Sequence, residues 1–382
     1  MTATPAPAKQ TPSALQNRWV QLAIGVSCTI MLSNMQYGWT LFVNPMHNAM
    51  QWERASIQVA FTLMIFVNTW LSPIEGWLVD RYGPRPVVML GGVMAGLSWV
   101  LNSRAESLPM LYAAALVGGL GVGCVFGTCM GTVLKWFPDK RGLAAGMIAA
   151  GFALGAAMTA VPLAGTISSS GYRHAFLTFG LIQGLTIFTL GMFLLKPIVP
   201  LIRPVAGVAP RKSVDFQPSR TIRTPVFWLI YCVYVMVAFG GMVITAQIGP
   251  IAHDLGVEKQ LVTLLGITLP VLTMAMTIDN FANGITRPLC GLISDKIGRE
   301  NAMLLLFTCE SLAFVGMAAF GHRPLAFVVF AALIFLFWGE VFSIFPAICG
   351  DTFGVKNAAA NNGLLYTAKG TSALAVPLAS VL

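Results

Sequence analysis

The chain has 382 residues, 56% hydrophobic and only 10% charged, with a net charge of +9 at pH 7 and a mean hydropathy of +0.76. A soluble globular domain carries about 25% charged residues, so these few cannot cover a water-soluble protein of this size. The apolar residues come in runs of about 20, the length a bilayer core requires of a helix, and the alternation that a membrane-spanning strand needs over about 10 residues is absent.

Met1 to Asn17 is rich in Ala, Pro and Thr, holds one Lys and has no apolar core. Residues 1–18 are therefore expected to form a disordered cytoplasmic tail, not a cleaved signal peptide. Eleven apolar spans follow, at 19–44, 55–79, 86–103, 108–136, 142–168, 174–195, 225–248, 262–293, 301–321, 325–350 and 359–382. Between the sixth and seventh, the Pro-rich stretch from Lys196 to Arg223 carries Lys196, Arg203, Arg211, Lys212, Arg220 and Arg223 against Asp215 alone. It reads as a basic cytoplasmic linker (197–223) between an N-terminal six-helix bundle (19–196) and a C-terminal bundle (224–382).

Loop charge sets the orientation. Arg81 and Arg85, Lys140 and Arg141, the linker, and Lys296 and Arg299 all follow even-numbered spans, while loops on the other side are close to neutral. The positive-inside rule places the basic set and the N-terminus in the cytoplasm, in a multi-pass protein of the plasma or inner membrane. The basic residues thus serve topology, and no nucleic-acid partner is expected. Cys28, Cys124, Cys129, Cys232, Cys290, Cys309 and Cys349 form no C-x-x-C pair and lie almost all in apolar runs. They read as small packing residues, not disulfides or zinc ligands.

The chain repeats itself. Gly76-Trp77-Leu78-Val79-Asp80-Arg81-Tyr82-Gly83 recurs as Gly291-Leu292-Ile293-Ser294-Asp295-Lys296-Ile297-Gly298, and the same offset aligns Pro73 with Pro288. A near offset aligns Phe137 with Phe353. Two homologous halves joined by a linker are typical of secondary transporters. The offset sets Leu382 opposite Ile167, at the end of span five, so a twelfth span is expected to be missing from this sequence, the alternative being a protein of eleven spans. The glycines of span four (Gly119, Gly123, Gly127, Gly131) and span five (Gly142, Gly146, Gly151, Gly155) lie close to one face each, for close helix packing. No Walker sequence is present, and no nucleophile–base pair or metal set suggests an enzyme.

The Gly76, Leu78, Asp80, Arg81, Gly83, Arg85 pattern resembles the loop motif of the major facilitator superfamily, with a degenerate copy at Gly291, Asp295, Lys296, Gly298 and Arg299. In such a loop Asp80 can sit at a helix N-terminus and pair with Arg residues, latching one conformation. The resemblance implies an all-α membrane protein with the major facilitator fold, two six-helix bundles. A finer resemblance is to the oxalate:formate antiporter family. It is carried by Gln36-Tyr37-Gly38-Trp39-Thr40-Leu41 with Asn44-Pro45, Trp136-Phe137-Pro138-Asp139-Lys140-Arg141-Gly142-Leu143-Ala144, Arg287-Pro288 with Ser294 to Arg299, Trp338-Gly339, Phe345-Pro346 and Ala368-Lys369. It implies that Arg287 and Lys369 bind a dicarboxylate.

Both cations stand out physically. Arg287 lies eight residues before Asp295, about 12 Å into the membrane at 1.5 Å per residue, and Lys369 lies near the middle of span eleven. A charge at the bilayer centre costs about 2.5–3.5 kcal/mol on insertion scales, so such residues are functional candidates. Arg can fork two N–H donors onto a carboxylate and Lys adds a point charge; the alternative is a structural ion pair or snorkelling to the interface. Gln36 and Tyr37 can hydrogen-bond a carboxylate, or anchor at the interface with Trp39, and Trp338 reads as a cavity wall. Phe126, Phe152 and Phe342 stand where the family pattern has hydroxyl-bearing aromatics. Asp279 and Glu340 are intramembrane acids; Asp279, Asn283 and Arg287 form one helical stripe, so Asp279 either pairs with Arg287 or takes up a proton.

The leading reading is an antiporter of small carboxylates working by alternating access, without cofactor or metal and as a monomer in the bilayer. The second is a proton-coupled monocarboxylate or organic-anion symporter using Asp279 or Glu340. The third is a membrane sensor that retains the fold.

Overall fold

A computed structural model describes residues 14–197, 215–264 and 266–379. The first half contains α1 (Arg18–Leu32), α2 (Asn34–Tyr37), α3 (Thr40–Met50), α4 (Arg54–Trp70), α5 (Ser72–Tyr82), α6 (Pro84–Ser103), α7 (Leu108–Trp136), α8 (Arg141–Ser170) and α9 (Tyr172–Gly191). The second contains α10 (Pro218–Thr221), α11 (Pro225–Asp254), a hairpin of β1 (Leu261–Leu264) and β2 (Ile267–Pro270), then α12 (Val271–Ile297), α13 (Arg299–Phe320), α14 (Pro324–Trp338), α15 (Val341–Phe353) and α16 (Ala358–Ala379).

Several apolar runs hide breaks. Span one is three helices, interrupted at Ser33 and at Gly38-Trp39. Span two is α4 and α5, bent by 47°, where Pro73 enters the first turn of α5 and lacks the N–H an unbroken helix would use. Span ten is broken between α14 and α15 at Gly339 and Glu340. The expected span at 262–293 starts later, at Val271. Its first residues instead pair antiparallel, Leu261 opposite Pro270 and Leu264 opposite Ile267, around Gly266 at φ 81°. Apolarity alone does not separate such a hairpin from a helix start.

Among the described residues, seven helical segments are long and apolar enough to cross a membrane, or eight if the bent α4–α5 pair counts as one. The first, eighth and eleventh expected spans fall outside that set: the first is split, α12 carries Asp279, Arg287, Asp295 and Lys296, and α16 carries Asn361, Asn362 and Lys369.

Most of the expected linker, 198–214, lies outside the described residues. Its end is tied to the second half: Asp215 Oδ1 accepts from Val355 N and Lys356 N, both at 3.0 Å, and Phe216 N donates to Phe353 O at 2.9 Å. Of the expected tail, 1–13 lies outside the described residues. Ala14–Gln16 forms a 3-10 turn, and Asn17 caps α1 by accepting from Trp19 N at 3.0 Å. Residues 14–18 are thus folded, where the tail was expected to run to residue 18, because Asn17 satisfies an otherwise orphaned helix donor.

Within the first half α6 packs on α7 and α9, and α4 on α7; within the second, α11 packs on α16 and α14 on α12 and α13. The halves meet along two seams, α8 against α12 with α15, and α5 against α16. Small residues permit this closeness. A Cβ on Gly291 would strike the Gly142 backbone, one on Gly146 the backbone of Arg287 and Pro288, and one on Gly76 the backbone of Ala359 and Ala360.

Candidate functional site

Arg287 is 1% exposed, so it does not snorkel. The helical repeat puts Asn283 one turn away, and Asn283 Oδ1 accepts from Arg287 Nε at 3.1 Å and Nη2 at 3.0 Å. Arg287 Nη1 donates across the α8–α12 seam to Ala149 O at 2.8 Å. A guanidinium has five N–H donors, so one hydrogen on each terminal nitrogen is left for a ligand. Lys369 is 6% exposed and donates to the Tyr366 hydroxyl at 3.0 Å, leaving two of its three donors.

Both cations share one ring. Arg287 Cζ lies 4.5 Å and Lys369 Nζ 5.5 Å from the Phe342 centroid, so the two charges sit within about 10 Å of each other. The ring face attracts a cation and holds the pair together without an anion. Phe342 also meets Trp338 edge to face at 5.7 Å, and the Trp338 indole lies over Gly241 of α11, where a Cβ would strike it.

From the first half, an arc of rings approaches the same place. Tyr37 meets Phe152 at 5.5 Å, Phe152 meets Phe126 at 5.3 Å, and Phe126 meets Tyr366 at 5.7 Å. Gln36 Oε1 and Trp338 Nε1 are buried without a protein partner, two polar atoms from opposite halves free for a ligand. The predicted residues Arg287, Lys369, Tyr37, Trp338, Phe126, Phe152 and Phe342 are thus linked through ring and cation contacts, with Gln36 beside Tyr37 on α2. Sequence reasoning missed Tyr366. Its signal was its place one helical turn before Lys369, on the same face.

The acids behave differently from the ion-pair expectation. Asp279 does not pair with Arg287: both its oxygens are buried without a partner. It lies two turns away along α12, about 12 Å of rise, and Asn283 occupies the nearer position. Glu340 is fully buried at the α14–α15 break, and both its oxygens also lack a partner. Two further intramembrane acids escaped the sequence reading, Glu75 on α5 and Glu310 on α13, 4% and 6% exposed.

The repeated loop motif forms a latch. Asp80 Oδ2 accepts from Ala360 N at 2.9 Å, at the N-terminus of α16, and Oδ1 accepts from Lys135 at 2.5 Å. Asp295 accepts from Gly142 N at 2.9 Å and Leu143 N at 2.8 Å, at the N-terminus of α8, and from Arg299 Nη1 at 2.6 Å. Each half thus presents a carboxylate to a helix N-terminus of the other, where free N–H groups and the macrodipole favour negative charge. Gly83 and Gly298 turn the chain into α6 and α13 at φ 90° and 92°, where a side chain would be strained.

The expected Asp80–Arg pairing is replaced by Lys135. Arg81 stacks over Trp77 and Tyr82 at 5.2 and 5.5 Å, and Arg85 Nε donates to Leu194 O at 2.8 Å. Lys296 is exposed. A long-range tie adds to the latch: Asp351 of α15 bonds both Arg141, across the seam, and Arg299 Nε, the latter at 2.8 Å.

The model of the Major Facilitator Superfamily matches residues 23–377. The chain is 34% identical to the oxalate:formate antiporter of Oxalobacter formigenes over 96% of its own length and 84% of that protein's. It is 26% identical to the uncharacterized MFS-type transporter YhjX of Escherichia coli, over 95% of this chain and 88% of the relative. It is 29% identical to human monocarboxylate transporter 11, over 69% of this chain and 53% of that one. Among solved structures, the proton:xylose symporter XylE bound to 6-bromo-6-deoxy-D-glucose shares the fold, with a TM-score of 0.64 at 13% identity over 94% of this chain and 87% of that one.

Proposed function

The chain belongs to the major facilitator superfamily, and on that premise we propose that it is a secondary transporter exchanging small carboxylates by alternating access. The observation that carries this reading is the pairing of Arg287 and Lys369 around Phe342, with spare donors and no carboxylate between them. Two buried cations without a counter-ion are costly in a membrane. An anion that bridges them offsets that cost, and its carboxylate accepts charge-assisted hydrogen bonds. Gln36, Tyr37 and Trp338 complete the site with polar contacts, and Phe126 and Phe152 wall it.

The latched end is the end that loop charge assigns to the cytoplasm, so this arrangement is read as a state closed toward the cytoplasm. Substrate binding neutralises the cations and lets the halves rock about the site. The name of the Oxalobacter relative favours oxalate and formate as cargo; phenylalanines at 126, 152 and 342 lack hydroxyl donors and favour smaller or less charged anions.

The test is counterflow in proteoliposomes with a panel of labelled mono- and dicarboxylates. Arg287→Gln and Lys369→Gln are each expected to lose exchange while inserting normally; full exchange by either variant would refute the site. A second reading, proton-coupled symport of monocarboxylates, is favoured by the partnerless Asp279 and Glu340 carboxyls. It requires uptake driven by a pH gradient and lost in Asp279→Asn or Glu340→Gln. Exchange indifferent to such a gradient excludes it.

A further inference from the structure

Glu75 has no part in the site described above. It lies on α5, next to Gly76 and one turn before Asp80, where α5 packs on α16. Gly363 of α16 meets the backbone of Ser72 and Pro73, and Gly76 meets Ala359 and Ala360, so Glu75 sits between two close backbone contacts of the seam. Both its oxygens are buried without a hydrogen-bond partner. Its carboxyl fills a notch on α7 that exists because residue 123 is glycine: a Cβ there would collide with it.

The titratable groups facing Glu75 from neighbouring helices are the Cys124 thiol of α7 and the Tyr366 hydroxyl of α16. On its own helix, Asp80 is committed to Lys135 and to the α16 N-terminus. On α4 the buried polar residues are Asn68 and Thr69, both uncharged. The ion pairs among the described residues all use other carboxylates. A bare carboxylate here would bear a desolvation penalty of several kcal/mol with nothing to offset it; a neutral acid escapes most of that.

We propose that Glu75 is a proton-binding site of the α5–α16 seam, holding a proton while the halves are latched at this end and passing it to water when the two helices part. The O–H bond breaks as water enters, leaving a carboxylate solvated by the opened cleft. Tyr366, which faces this acid from α16, also accepts from Lys369 of the anion site. The latched state therefore binds one proton more than the opened state. Acid favours latching and base favours opening, whatever the cargo.

The Ala360 amide reports the latch directly, since it donates to Asp80. Hydrogen exchange of the α16 N-terminal segment is to be measured by mass spectrometry on the full chain in lipid nanodiscs, without substrate, at about pH 6 and about pH 8, and corrected for intrinsic amide chemistry. One linked proton changes the open-to-latched ratio by up to about tenfold per pH unit. Wild-type protein is expected to exchange faster at the higher pH, by up to about a hundredfold over the two units. Glu75→Gln, which mimics the neutral acid, is expected to stay protected at both, and Glu75→Met serves equally if the amide is not tolerated. A flat wild-type response overturns the proposal, as does a variant whose pH response equals that of wild type. Because no substrate enters the assay, failure here is separable from failure of the carboxylate reading.

Discussion

The two seams of the latched end are one device built twice with unequal strength. In the α8–α12 seam, Asp295 accepts from two backbone amides and from Arg299, Gly142 meets Gly291 backbone to backbone, and Asp351 ties Arg299 to Arg141. In the α5–α16 seam, Asp80 accepts from one amide across the halves and, like Asp295, takes its cation, here Lys135, from its own half. The repeat also sets Cys290 opposite Glu75, so the weaker seam has an acid where the stronger one has a thiol.

The same division runs through the proposed substrate site. Both cations come from the second half, while the first contributes Gln36, Tyr37 and aromatic walls. Arg287→Lys tests that division most severely. Lysine keeps the charge but loses the fork that spans Asn283 and Ala149 O while leaving two hydrogens over. Hydrogen bonds to charged groups are worth about 1.5–3 kcal/mol each, so half-saturation for carboxylate exchange is expected to rise about tenfold to a hundredfold. Unchanged half-saturation would mean that the second half supplies only net charge.

A smaller effect compares the seams themselves. Asp295→Asn weakens two charge-assisted backbone bonds and Asp80→Asn one, so the former is expected to loosen the latched end by about 1.5–3 kcal/mol more. Amide exchange at Gly142 and Leu143, against that at Ala360, measures it. Equal loosening would erase the distinction between the seams.

Restoring hydroxyls to the first half comes next. Phe152→Tyr places a donor beside Tyr37 and Phe126, and a net hydrogen bond contributes about 0.5–1.5 kcal/mol. The preference for oxalate over formate in competitive counterflow is expected to rise by about twofold to tenfold. A shift toward formate would show that the aromatic half selects by size, not by hydrogen bonding.

Arg287 and Lys369 were legible in the sequence because a lone cation inside an apolar run has few alternative explanations. The repeat and its Asp80 and Asp295 were legible because the spacing recurs. The breaks at Ser33, Leu71 and Gly339 were not, since an apolar run looks the same whether its helix is continuous or broken. The α12 start was misread for the same reason: Leu261 to Pro270 is apolar enough for a span but folds as a hairpin. Glu75 and Glu310 carry no local mark of burial, since each shares its helix with charged residues at a membrane end, Asp80 and Arg81 on α5 and Arg299 and Glu300 on α13. The Asp351 tie joins residues far apart in sequence, and no local spacing encodes it.

Asp351 supplies the smallest and most discriminating test of the seam comparison. Its side chain is 36% exposed, against 6% for Asp295. Exposed pairs are screened by solvent and contribute about 0–1 kcal/mol, even when one carboxylate serves two arginines. Asp351→Asn is therefore expected to raise amide exchange at Gly142 and Leu143 by no more than about fivefold, and the difference should shrink further in high salt. Asp295→Asn should act regardless of salt, because its partners are buried helix N-terminal amides. If Asp351→Asn opened the end as far as Asp295→Asn, the stronger seam would owe its strength to surface ion pairs. The two seams would then differ in their loops, not in how each carboxylate meets a helix.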